Sequence, residues 1–152
     1  MGTDKGVTSN DMVGHDMVEH IIAAYGASST NDRIAGANWY YRANAECQTI
    51  AEYYGLHMDV VTGMVAALSP ATAWLRNLVE CRMVLEYGIN ATVTSYYANK
   101  EKAVKIHHGI PVSWGQKTWN FWHQILDPDS DHVVIDRHAL SAALGRPSTD
   151  KE

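Results

Sequence analysis

The spacing of the apolar residues constrains this chain more than any other feature. They recur every three or four positions in one segment after another and never settle into the alternation of a half-buried strand. Tyr40, Ala43, Cys47, Ile50 and Tyr54 fall on one helical face, and Gly55 is placed to end that helix. Trp74, Leu78, Cys81 and Leu85 form a second such face before Gly88. The fold class is therefore all-α.

Punctuation divides the pattern into seven helices. Asp11 is placed to cap a first helix with the stripe Val13, Met17, Ile21 and Ala24, ending near Gly26. Residues 28–32 read as a linker into the second helix. The third runs from about Asp59 to Leu68 and stops at Ser69-Pro70; the fourth starts near Thr72. Thr94 or Ser95 caps the fifth, which reaches Gly109, and Ser113 opens a sixth containing Trp119, Trp122 and Ile125. After a polar loop at residues 127–131 and the apolar run His132–Ile135, a last helix spans Asp136 to Leu144. The expected layout is a tail at 1–10, one helical domain over 11–146 and a second tail at 147–152.

Composition narrows the function classes. With 152 residues the chain has room for one domain with a real core. Two cysteines, Cys47 and Cys81, make neither a disulfide framework nor a four-thiolate metal site. His15 and His20 are five apart and share no helix face, so no metal and no cofactor is expected. The start has no export-signal pattern and the longest apolar stretch is too short for a bilayer, so the chain reads as soluble and cytoplasmic, with no membrane partner. Seventeen acids against twelve Lys and Arg give a net charge of −5, which disfavours gripping nucleic acid by charge alone. The charge is uneven, however. Lys100, Lys102, Lys105 and Lys117 form a local basic strip facing only Glu101, ahead of the loop acids Asp127, Asp129 and Asp131.

One constellation carries a resemblance. Residues 133–145 run from Val133-Val-Ile into Asp136-Arg137-His138 and close on Gly145. Upstream stand Gly115-Gln-Lys117-Thr118, nineteen residues before Asp136 counted from the lysine, then Lys102-Ala103 and Ala67-Leu-Ser69 with Thr72. In this order the motifs resemble the helix-hairpin-helix DNA glycosylase superfamily, in a compact, phage-like form. The hairpin is truncated, since only about a dozen residues separate Lys102-Ala103 from Gly115. The resemblance implies a glycosylase-like helical core with two N-terminal helices packed over it. It also implies action on a nucleobase, modified or not, or on its N-glycosidic bond, as a glycosylase or a glycosylase/lyase.

The chemistry would use a carboxylate against the positive charge that builds on the sugar, which is the role the resemblance gives Asp136. A lysine can attack the sugar carbon as an amine, the role it gives Lys117. Trp114, Gly115, Thr118, Arg137 and His138 would face nucleic acid. Each has a plainer reading beside the functional one. Asp136 at a helix start caps it, Lys117 is a surface lysine, Trp114 packs, and His138 orients a neighbour. Trp74, Trp119 and Trp122 read as core. Two other functions stay open: an inactive helical protein that binds a host or nucleic-acid-processing partner, and an enzyme on a free nucleoside or nucleotide.

Overall fold

A helix that is apolar on every side must be buried, and one helix here meets that description. In Met58–Leu68 every residue from Val61 to Leu68 is buried, so this helix forms the centre and others pack around it. The computed structural model describes residues 9–148. Among these residues there are seven α-helices and no strand: α1 Ser9–Ala27, α2 Thr30–Tyr54, α3 Met58–Leu68, α4 Trp74–Tyr87, α5 Tyr97–His107, α6 Gln116–Leu126 and α7 Arg137–Leu144. The tails expected at 1–10 and 147–152 lie largely outside the described residues.

The chain gathers into two compact units, Asn38–Val134 and the pair of segments Met1–Ala37 and Ile135–Glu152. In the Asn38–Val134 unit, α4, α5 and α6 all pack against α3. The later turns of α2 add Ala43, Cys47, Ile50 and Ala51 to the same core. Asn44 of α2 gives its amide protons to the carbonyls of Ile125 and Leu126, at 3.0 and 3.2 Å, satisfying groups that the end of α6 leaves open. A second aromatic group, Trp39, Tyr40, Trp74 and Phe121, sits edge to face beside the core, and Trp74 Nε1–H donates to Glu46 at 2.6 Å.

The start of α5 differs from the sequence expectation. Thr94 and Ser95 do not cap it; the helix begins at Tyr97, after Tyr96, without a side-chain cap. Both residues turn instead to Glu80, whose side chain is completely buried on α4. Glu80 Oε1 accepts the Thr94 amide (2.6 Å), the Thr94 hydroxyl and Arg76 Nε (3.1 Å), while Oε2 accepts the Ser95 hydroxyl at 2.7 Å. A capping signature in sequence thus serves a buried carboxylate that pins the entry to α5.

In the other unit, α1 packs on α7. His20 donates from Nδ1 to the Ala143 carbonyl at 2.9 Å. Gly145 closes α7 at φ +66, and a Cβ there would lie 3.0–3.1 Å from the His20 ring, so both backbone and space require glycine. No described side chain of this unit is fully buried. Asp11 lies inside α1, which begins two residues earlier, rather than at its cap.

Candidate functional site

The loop from His108 to Gly115 builds the most distinctive surface of the Asn38–Val134 unit. Gly109, at φ +70, lets the chain turn off the end of α5, and the Ile110 amide returns to the Lys105 carbonyl at 2.9 Å. No helix forms before Gly115, so the stretch holds a loop rather than the first helix of a hairpin. Gly115 is the N-cap residue of α6 in extended backbone. Its carbonyl accepts the Trp119 amide (3.0 Å) and the Thr118 hydroxyl (3.2 Å), so Thr118 is engaged in closing the first turn.

This loop and α6 bring three indoles together. Trp114 stacks on Trp122 with centroids 4.9 Å apart and planes at 22°, and Trp119 meets Trp122 edge on at 5.4 Å. Trp122 is anchored from below: its Nε1–H reaches the Asp59 carbonyl and the Thr62 hydroxyl of α3, each at 3.1 Å. Thr62 gives its own proton to the Met58 carbonyl at 2.6 Å, leaving its oxygen free to accept. Behind Trp119, His123 lies 4.2 Å from it, donates from Nδ1 to the Trp119 carbonyl at 2.9 Å, and is followed by His132 at 5.0 Å.

The indoles wall an open cleft of about 360 Å³ whose remaining lining includes Asp59, Ile106, Ile110 and Pro111. Trp119 is 41% exposed. The expectation that Trp119 packs in the core is therefore corrected: α6 turns Ile125 inward and leaves Trp119 at the rim.

Lys102 of α5 stands beside the cleft with its ammonium 4.4 Å from the centre of the Trp114 ring. Burial draws its pKa down from the ordinary lysine value. Among the described residues no carboxylate lies within ion-pair distance of it, whereas Lys105 reaches Glu101 at 3.5 Å. Lys100 donates to the Ala91 carbonyl at 2.9 Å, so the basic strip of the sequence is partly spent on the fold. Lys102 and Lys105, with Asn99, Glu101 and Ser113, line an adjoining pocket of about 380 Å³, which shares Pro111 and Val112 with the cleft.

The residues singled out by sequence fall into two groups. Trp114, Gly115, Lys117 and Thr118 come together at the loop and first turn of α6, where Trp114 is half-buried and Lys117 exposed. Asp136, Arg137 and His138 open α7 in the other unit. Asp136 Oδ1 accepts the Ala139 amide at 2.8 Å and so caps the helix; Arg137 and His138 are exposed. Sequence reasoning passed over Asp59, Lys102, Trp119 and Trp122 as site residues. The available signal was Trp119-x-x-Trp122-His123, three rings on one helical face where a buried face more often carries aliphatics.

Elsewhere, His15, Asp16 and Glu19 place ligand-type atoms within 4.8 Å of one another on α1. All three are exposed and His15 is 3.6 Å from Glu19, an arrangement of an open ion pair rather than a closed metal cage. Among the described residues no helix is long and apolar enough to cross a membrane.

These features define an all-helical protein with an aromatic cleft edged by a lysine pocket. The chain belongs to DUF7178, a family of unknown function, whose profile matches residues 4–152. No curated protein and no solved structure matches it.

Proposed function

We propose that this protein holds a nucleobase in the cleft walled by Trp114, Trp119 and Trp122. The observation that carries the reading is the gathering of three indoles around one open cleft, with Trp119 partly exposed. Every base has a π-face, and stacking a base on an aromatic side chain is worth about 1–3 kcal/mol. Asp59 supplies an acceptor at the cleft for a base N–H. The test is calorimetric titration with the common nucleosides. The native protein should bind at least one of them, and Trp119→Ala should weaken that binding by about 5- to 150-fold, the equivalent of one stacked base. No heat of binding with any nucleoside would refute the reading.

Chemistry at the glycosidic bond, with Asp136 and Lys117 as carboxylate and nucleophile, is a further proposal resting on the glycosylase resemblance. Borohydride trapping on abasic-site DNA tests its lysine step. A covalent adduct lost in Lys117→Ala supports it, and no adduct with the native protein removes it.

A second reading, a protein-binding role, is favoured by one observation. On α1, Val18, Ile21, Ile22 and Tyr25 are each at least half exposed, while His20 faces α7. Apolar side chains grouped this way mark interaction surfaces more often than scattered ones do. Sedimentation would show self-association through this face as a heavier species that Ile22→Glu returns to the monomer. A monomer at every concentration would count against that form of it.

A further inference from the structure

The lysine pocket beside the cleft has no role in holding a base, yet its chemistry is specific. Lys102 is a half-buried cation. Charges withdrawn from water are ordinarily paired, because desolvation disfavours the ionised form. Lys102 meets the face of Trp114 and, among the described residues, no carboxylate. Its lowered pKa is the expected sign of that imbalance, and an anion placed beside it would correct it.

The geometry says where such an anion would sit. Lys102 and Lys105 line the 380 Å³ pocket, and Asn99 and Ser113 bring polar side chains to the same space. Pro111 and Val112 form a common wall, with the tryptophan cleft on one side and the lysine pocket on the other. Trp114 links the two, because it lines the cleft while Lys102 rests on its ring. A flat ring in the cleft with an anionic group a short linker away would fill both.

We propose that the ligand is a free mononucleotide, its base in the tryptophan cleft and its phosphate at Lys102. This rests on the base-binding reading. Charge selects a single phosphate group over a strand of nucleic acid. The pocket carries two lysines against Glu101, a small positive excess, within a chain of net charge −5. A strand would need a run of cations along its backbone, and Lys100 is engaged by a backbone carbonyl. Asp59, on the cleft side, repels phosphate and so fixes which end of the ligand enters where.

Calorimetry with the four deoxynucleosides, their 5′-monophosphates and a deoxyoligonucleotide tests this. At low salt the monophosphate of the preferred base should bind about tenfold or more tightly than its nucleoside, the worth of a charge-assisted contact. Lys102→Gln should bring the monophosphate-to-nucleoside affinity ratio close to one, and Lys102→Arg, which keeps a cation at the Trp114 ring, should keep most of the advantage. Glu101→Gln removes the pocket's one acid and should tighten the monophosphate alone. Equal affinity for nucleoside and monophosphate overturns the inference and leaves base binding standing. So does a preference for the oligonucleotide, or an equal loss of both ligands in Lys102→Gln. Failure of every nucleoside and nucleotide to bind overturns the base-binding reading with it.

Discussion

Glu80 offers the sharpest test of how the site is held in place. Its carboxylate is fully buried, and burial alone would raise its pKa. The hydrogen bonds from Thr94, Ser95 and Arg76 outweigh that and bring it from 4.5 down to about 2. A fall of this size corresponds to roughly 3 kcal/mol of folding free energy at neutral pH. The sign follows from the direction. A carboxyl whose pKa is depressed in the folded state contributes fully above its unfolded value, and the contribution fades as pH falls from about 5 toward 2.

Glu80→Gln keeps the shape and one carbonyl oxygen but presents an amide to donors. The Ser95 hydroxyl lies 2.7 Å from Glu80 Oε2 and 3.0 Å from the Leu68 carbonyl, and has a single proton to give. In the variant it can turn wholly to Leu68 and accept from the new amide. The loss should therefore be about 2–3 kcal/mol rather than the larger cost of leaving every donor bare. Urea unfolding followed by circular dichroism should show that gap at pH 7, with the melting temperature lower by on the order of 10 °C. Near pH 3 the gap should have shrunk by about half or more. A variant as stable as the native protein, or a gap that ignores pH, would refute the reasoning. The effect bears on the cleft because the Thr94-Ser95 segment leads into α5, which carries Lys102.

Three further outcomes follow from single contacts. Asp136→Ala removes the acceptor for the Ala139 amide; it should cost about 0.5–2 kcal/mol, seen as faster amide exchange in α7, while Asp136→Ser keeps most of the cap. Gly145→Ala combines a left-handed backbone with a Cβ only 3.0–3.1 Å from the His20 ring, and should lower the melting temperature more than the roughly 1 kcal/mol of the backbone conformation alone would. Cys47 and Cys81 are both buried, which pushes their thiols up to about 12. At pH 8 a disulfide exchange reagent should label neither in the native protein and both after unfolding, because the thiolate is the reactive form.

Apolar period made the helices legible because each buried face is written as a stripe. Tyr40, Ala43, Cys47, Ile50 and Tyr54 identified α2, and Ala43, Cys47 and Ile50 reach the core. Gly55, Gly88 and Gly145 marked real helix ends, each at positive φ. Polar residues were harder to read, since a hydroxyl can serve a cap or a distant carboxylate equally well. Thr94 and Ser95 take the second course because Glu80, some fifteen residues earlier, is buried within reach. The cleft was illegible for a related reason. Trp119 and Trp122 share a helical face with Ile125, and only the loop that brings Trp114 onto Trp122 turns part of that face outward as a wall. Lys102 was visible as one charge in a strip of four. That its ammonium rests over the Trp114 ring depended on contacts the spacing does not record.

The central claim concerns three of the five tryptophans, so it can be read ring by ring. The indole N–H groups of an ¹⁵N-labelled sample give one resonance each, assigned by Trp→Phe substitution. On titration with the nucleoside series, the signals of Trp114, Trp119 and Trp122 should move together and saturate, while those of Trp39 and Trp74, packed in the separate aromatic group, stay in place. Shifts confined to Trp39 and Trp74, or no saturable shift at any indole, would contradict the account.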